Sequence, residues 1–188
     1  YLASYNDTAV LTVSKLDKDS FVFNVTVAHI TVGEPAVVNV TLPADATGNV
    51  TVTIGNITKT VAIFGGNNSI AIVGVPVGEH NVTVTYNGND KYDKVNVTSK
   101  IKVSPVNTTE GNFIVQDLGN GTVIVYVPEN ATGNITIKIG TNNFTENITE
   151  GKAVINLTGM VPGVYNSTIV YSGDENHSNV TFNATLHI

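Results

Sequence analysis

The strongest constraint on the fold is a phrase of fourteen residues that occurs twice, starting at positions 42 and 127. The first copy reads LPADATGNVTVTIG from Leu42, and the second reads VPENATGNITIKIG from Val127. Each copy has the order expected of a strand end, a turn and a new strand. Because the phrase returns at an offset of 85 positions, the sequence predicts an array of modules. A chain of 188 residues then holds two of them.

The second module repeats the first without a gap through its main body. Apolar and polar residues alternate over 38–42 and again over 123–127, and the last predicted strand, 95–103, is repeated by 180–188. A period of two is typical of half-buried strands. No stretch has a helical period, and the abundant Val, Ile and Thr favour strands. We therefore expect an all-β protein.

Each module contains about seven short predicted strands, each with one apolar face. Such strands cannot bury their apolar faces in a single layer, whereas two antiparallel sheets packed face to face can. The sequence thus predicts two tandem immunoglobulin-like antiparallel β-sandwiches. They lack the Cys–Trp–Cys core of antibody domains, because the chain has neither Cys nor Trp.

The predicted domains are residues 17–104 and 105–188, preceded by an extra N-terminal strand within residues 1–16. Residues 6–14 align with 96–104, so we interpret them as the last strand of a preceding repeat or as a donated strand. An apolar strand without a partner is expected to pair, either within the chain or with a neighbour. Residues 15–20 are predicted to be a polar linker. The strand-pairing residues are Thr8, Ala9, Val10, Leu11, Thr12, Val13 and Ser14.

The charge of the chain excludes several classes of partner. The net charge is −6, and the only cationic residues besides histidine are nine lysines. Nucleic-acid binding and polybasic membrane binding both need a basic face, so neither is expected. No apolar run is long enough to span a membrane, so no membrane insertion is expected. Because residue 1 does not start a signal peptide, we expect the sequence to come from a longer exported protein.

No set of residues predicts catalysis, a metal site or a cofactor. Cysteine is absent, and the four histidines do not have zinc-ligand spacing. No nucleophile elbow is present, so we expect no enzyme activity. The polar loops 87–93 and 172–177 could hold Ca²⁺ weakly, but Asx-stabilised hairpin turns are the simpler interpretation. Tyr86 and Tyr171, just before these loops, are expected to donate their hydroxyls to backbone groups, as at a tyrosine corner.

Asparagine is concentrated in Asn-x-Ser/Thr sequons, of which the chain has 19. In a strand, the Asn and its Thr share the outward face while the residue between them points to the core. Two interpretations stay open: glycosylation, or a soluble strand surface in which sequons arise by chance. The candidate glycosylation sites are Asn24, Asn39, Asn49, Asn81, Asn96, Asn134, Asn166 and Asn183. Such a surface indicates an extracellular protein.

The motifs resemble a known family. Each module has the repeated phrase, then a Val-Pro loop, a Tyr-x-Gly turn with Asn or Asp, and an alternating last strand. This pattern is similar to the tandem bacterial-Ig-like repeats of adhesin-like surface proteins from methanogenic archaea. The second copy departs from the first at Ser167, where Val82 stands in the first, and at His177, where Tyr92 stands. The resemblance implies a stalk or adhesive region of a large protein at the cell wall.

Three functions are therefore considered. The first is a non-catalytic, adhesin-like cell-surface module that mediates attachment to other cell surfaces or glycans. The second is a subunit of an extracellular filament, in which the strand within residues 1–16 inserts into a neighbouring subunit. The third is a polysaccharide-binding accessory module. None of the three requires a cofactor.

Overall fold

The computed structural model describes residues 12–188 and confirms the all-β fold class. The chain divides into two compact units, Tyr1–Lys102 and Val103–Ile188, called module 1 and module 2 below. The described residues form fifteen strands and two short 3₁₀ turns, Lys18–Ser20 and Glu110–Asn112. The strand predicted within residues 8–14 falls mostly outside the described residues, and Thr12, Val13 and Ser14 are exposed and lie in no strand.

Module 1 is a sandwich of a three-stranded and a five-stranded sheet, with strand orders β1-β3-β6 and β2-β8-β7-β4-β5. Its strands are β1 (Asn24–Val27), β2 (Ile30–Thr31), β3 (Ala36–Thr41), β4 (Thr47–Ile54), β5 (Ile57–Phe64), β6 (Asn67–Ile72), β7 (Gly78–Tyr86) and β8 (Val95–Ser104).

Module 2 has a three-stranded sheet in the order β9-β10-β13 and a four-stranded sheet in the order β12-β11-β14-β15. Its strands are β9 (Ile114–Asp117), β10 (Thr122–Tyr126), β11 (Asn134–Ile139), β12 (Asn142–Asn147), β13 (Lys152–Asn156), β14 (Val164–Tyr171) and β15 (Val180–His187). Apart from β2, each strand of module 1 has a counterpart in module 2 with the same neighbours.

The first strand of each module is tied to the last strand by one side chain. In module 1 the extended lead breaks after β1, as predicted, and His29 Nδ1 accepts a hydrogen bond from the Lys102 N–H at 2.9 Å. In module 2, Asp117 Oδ2 accepts from the N–H of His187, 85 positions after Lys102, at 2.6 Å. Two different side chains therefore satisfy the same backbone donor in the two modules.

The repeated phrase supplies the central strand of each core. Val50, Val52 and Ile54 of β4 are at most 1% exposed, and Ile135 and Ile137 of β11 are completely buried. Burial of each such side chain contributes about 1.5–3 kcal/mol. The module 2 core draws on both of its sheets and contains Val123, Val125, Ile155, Ile169, Tyr171 and Leu186, among others.

The glycine of the repeated phrase is required by the backbone. Gly48 has a φ of 114° and Gly133 has a φ of 94°, which side-chain-bearing residues rarely adopt. A Cβ on Gly48 would lie 3.0 Å from the carbonyl oxygen of Gly88, and one on Gly133 would lie 2.8 Å from that of Gly173. The phrase is therefore packed against the last turn of its module.

Candidate interaction surfaces

The turn between the last two strands is the most polar structured region of module 1. Asn89 Oδ1 accepts hydrogen bonds from the N–H groups of Lys91 and Tyr92, both at 2.8 Å, and Asn89 Nδ2 donates to Thr47 Oγ1 at 3.2 Å. Tyr86 donates its hydroxyl to the Thr47 carbonyl at 2.8 Å, as predicted for a tyrosine corner. Asx chemistry thus orders this turn and joins it to the repeated phrase.

A carboxylate outside this turn supports it from the repeated phrase. Asp45 accepts from the Tyr92 hydroxyl at 2.6 Å and forms an ion pair with Lys91. The hydrogen bond from Lys91 and that from Tyr92 hold the pKa of Asp45 below its usual value. Phe21 packs on Tyr92 with ring centroids 4.9 Å apart, and this covers the end of the core.

In module 2 a carboxylate stands within the turn itself. Asp174 Oδ1 accepts from the N–H groups of Asn176 and His177 at 2.9 and 2.7 Å. Asp174 Oδ2 accepts from the Thr132 N–H at 2.7 Å and from the Tyr171 hydroxyl at 3.1 Å. The His177 ring completes the cluster, with Nδ1 2.9 Å from Asp174 Oδ1. We call this group the Asp174 clamp.

The Asp174 clamp shifts the titration of two groups. Burial alone raises the pKa of Asp174, but the hydrogen bonds from Thr132, His177 and Asn176 outweigh it and hold this pKa far below its usual value. Burial, followed by the hydrogen bond to Asp174, raises the pKa of the Tyr171 hydroxyl. Asp174 is therefore a carboxylate that stays ionised while nearly enclosed by donors.

These contacts determine what the turns can do. The expectation that Tyr171 donates to a backbone group is wrong, because its hydroxyl meets the Asp174 carboxylate instead. Both oxygens of that carboxylate already accept N–H and O–H bonds, so they serve the turn rather than a cation. Across residues 12–188, no three His, Asp or Glu side chains converge as metal ligands.

The segment that leads into each module pairs with the same turn. Leu16 forms a parallel bridge with Tyr92, its N–H donates to the Lys91 carbonyl at 2.8 Å, and its carbonyl accepts from the Asp93 N–H at 2.9 Å. Val106 forms the equivalent bridge with His177. The prediction that residues 15–20 are only a linker is therefore wrong at Leu16, because backbone pairing anchors this residue to module 1.

The sequon asparagines lie on the outside of both modules. Asn6 is outside the described residues, and all the other sequon asparagines are exposed except Asn134, which is half-buried. Two bonds show which amide atom is engaged: Asn39 Oδ1 accepts from the Ser69 hydroxyl at 2.7 Å, and Asn183 Oδ1 accepts from the Thr168 hydroxyl at 3.0 Å. In both cases the bond uses the oxygen and leaves to solvent the nitrogen that a glycan would modify.

One exposed surface was not predicted from the sequence. It is the outer face of the β9-β10-β13 sheet, where four apolar side chains are neighbours. We call it the Tyr126 face, and it consists of Ile114, Ile124, Tyr126 and Val154. A signal for it was available, because the run TVIVYV from Thr122 is apolar on both strand faces, whereas its counterpart VVNVTL from Val37 alternates.

No protein-family model matches the sequence, and no curated protein matches it. Among solved structures, the FN1–FN3 domains of chicken CNTN1 are 11% identical, with a TM-score of 0.32 over 93% of this chain and 68% of that one. The fibronectin(III)-like modules of Clostridium thermocellum CbhA are 9% identical, with a TM-score of 0.33 over 88% of this chain and 94% of that one.

A third similar structure is SGBP-B of the Bacteroides ovatus mixed-linkage glucan utilization locus, in complex with a mixed-linkage heptasaccharide. It is 17% identical, with a TM-score of 0.32 over 95% of this chain and 48% of that chain. At these TM-scores the fold assignment depends on the strand pairing of the chain itself. Residues 12–188 contain no helix of the length and apolarity that a membrane span requires.

Proposed function

We propose that this chain is a non-catalytic extracellular module that mediates attachment of a cell to other cell surfaces or glycans. The observation that carries the proposal is the outward placement of the sequon asparagines on both modules. The resemblance to adhesin-like repeats supports it, as does the structural use of the charged groups in the last turns.

The proposal includes glycosylation of exposed sequons in the producing cell. Seven of the eight candidate asparagines are exposed, and Asn134 is half-buried. Glycopeptide mass spectrometry of the protein from its natural source is expected to find glycans at the exposed positions and fewer at Asn134. Unmodified peptides at all of these positions would mean that the sequons serve only as a soluble strand surface.

Attachment is tested with fluorescent beads that carry the full chain. The beads are offered to a panel of microbial cells and to immobilised polysaccharides, and bound beads are counted after washing. Matched beads carry the variant Val52→Asp/Ile137→Asp, which places a charge in each core and unfolds both modules. We expect binding of the folded chain to at least one surface, several-fold above the variant. Equal binding on every surface would contradict the attachment function.

A second candidate, assembly through the N-terminal strand, is favoured by one observation. Val13 is 84% exposed although it follows the apolar residues of the predicted donated strand. A neighbouring subunit that paired with this segment would cover such a side chain. Removal of residues 1–11 is expected to abolish oligomers seen by sedimentation if this candidate is right, and to leave a monomer unchanged if it is not.

A further inference from the structure

The Tyr126 face is built by strand register rather than by chance proximity. Tyr126 lies directly opposite Ile114 on β9, and Ile124 lies directly opposite Val154 on β13. Ile124 and Tyr126 are two residues apart on β10, so their side chains emerge on the same face. Four apolar side chains thus occupy adjacent sites on the outer surface of one sheet.

The ring of Tyr126 leans along the sheet. Its hydroxyl donates to Gln116 Oε1 at 3.3 Å, although Gln116 lies opposite Ile124 and not opposite Tyr126. To reach this diagonal neighbour the phenol must extend over the strand rather than stand upright from it. One ring face is then turned to solvent, and the side chain as a whole is 38% exposed.

The fold does not require this face to be apolar. The corresponding outer face of module 1, on β1, β3 and β6, has Asn39 and Thr41 where module 2 has Ile124 and Tyr126. Asn24, which pairs with Thr41, and Ser69, which pairs with Asn39, are polar as well. The same scaffold is stable with either surface, so the apolar residues of module 2 serve something other than the fold.

The size of the face excludes a large protein partner. Ile114 is 67%, Val154 50% and Tyr126 38% exposed, which leaves roughly 300 Å² of apolar surface. A stable protein–protein interface needs about 800 Å² from each partner. A second copy of this chain stacked face to face would also bring Lys152, the neighbour of Tyr126 on β13, towards its own equivalent.

We propose that the Tyr126 face binds a polysaccharide made of pyranose rings. A sugar ring has an apolar C–H face that stacks on an aromatic ring and on aliphatic side chains, and polar edges that need hydrogen-bond partners. The Tyr126 ring with Ile114 and Val154 supplies the apolar platform, and the Gln116 amide and the Lys152 ammonium lie at its rim. Lys152 is the cation of the face, so acidic sugars bind more tightly than neutral ones.

This inference rests on the proposed attachment function and names the ligand class and the surface that binds it. It is tested by affinity electrophoresis of the full chain in gels that contain soluble xylan or polygalacturonate. The test variant is Ile124→Thr/Tyr126→Thr, because Thr keeps a high strand propensity. The control is Val37→Thr/Phe64→Thr, which removes two exposed apolar side chains, one of them aromatic, from module 1.

We expect retardation of the wild type, stronger in polygalacturonate than in xylan, and a loss of affinity of at least tenfold in the test variant. The control variant and Tyr126→Phe are expected to stay within about threefold of the wild type. Circular dichroism melts establish that every variant is folded. Lys152→Gln is expected to reduce the preference for polygalacturonate without abolishing binding to xylan.

Three results overturn the inference. Equal retardation of the wild type and the test variant moves the site elsewhere, and lack of retardation by both polysaccharides removes the ligand class. A dimer in sedimentation equilibrium that the test variant abolishes assigns the face to a second copy. If the beads attach to cells in any of these cases, the attachment function stands and only the Tyr126 face is refuted. If the beads attach to nothing, the attachment function itself fails.

Discussion

The two modules have the same interior and different exteriors. Val50 and Ile135 occupy the same buried position in β4 and β11, and the strand order around them is the same. The last turn is organised by the amide of Asn89 in one module and by the carboxylate of Asp174 in the other. The three-stranded sheets differ more, because one outer face carries sequons and the other carries the Tyr126 face.

This difference shows where a duplicated sandwich can change. Inner positions are held by packing, because a buried side chain that changes volume is destabilising. The turn accepts either Asn or Asp because both place an oxygen where two backbone N–H groups need an acceptor. Outer positions have neither constraint, so surface chemistry can diverge between copies without loss of the fold.

The largest expected effect is shared by both modules and defines what they have in common. Gly48→Ala and Gly133→Ala are each expected to destabilise their own module by about 3 kcal/mol, because both backbone strain and a close carbonyl oxygen oppose a Cβ. Hydrogen exchange resolved by peptide reports each module separately. Loss of protection in only one of the two variants would show that the phrase does not play the same role twice.

Exchange of the turn residues tests the difference between the modules. Asp174→Asn is expected to destabilise module 2 by about 2–3 kcal/mol, because it removes the charge and one acceptor from the Asp174 clamp. Asn89→Asp is expected to change module 1 by less than about 1 kcal/mol, because its oxygen still accepts the same two N–H bonds. Urea unfolding followed by peptide-resolved exchange measures both. Equal losses would mean that the carboxylate has no special role.

Acid is expected to separate the modules without any substitution. The folded-state pKa of Asp174 lies below its unfolded value, so its contribution is fully present above about pH 4 and is lost as the pH falls towards the folded value. The pKa of Asp117 is lowered in the same direction by the N–H groups of His187 and Gly119, against the effect of burial.

In module 1 the equivalent turn residue is Asn89, which does not titrate, and Asp45 is exposed. Module 2 should therefore lose exchange protection at higher pH than module 1 during an acid titration, and Asp174→Asn should flatten its pH dependence. If module 1 opens first, the Asp174 clamp does not control acid stability.

The smallest expected difference concerns the two buried tyrosines. Tyr171→Phe removes a hydrogen bond to a carboxylate and is expected to destabilise module 2 by about 2 kcal/mol. Tyr86→Phe removes a bond to the Thr47 carbonyl and is expected to destabilise module 1 by about 1 kcal/mol. Thermal melts of the single and double variants supply the comparison. A larger loss for Tyr86→Phe would reverse the ranking of the two corners.

Strand periodicity predicted much of this molecule. The alternation over 36–42 and the repeated phrase gave the strands and their inner faces, because period-two burial is a local property of the chain. The bridge from Leu16 to Tyr92 was missed because one paired residue leaves no periodic signal. The Asp174 clamp was missed in part because its partner Thr132 lies 42 positions away. The Tyr126 face required the register of three strands, which no single strand contains.

The central claim is that the Tyr126 face, and not the sandwich that carries it, binds polysaccharide. The most direct test moves the face to module 1 of a chain that already carries Ile124→Thr/Tyr126→Thr. The transfer is Asn24→Ile, Asn39→Ile, Thr41→Tyr and Ser69→Val, at the positions that correspond in register. Retardation in polygalacturonate gels should return to within about threefold of the wild type. A folded transfer variant that is not retarded would contradict the claim.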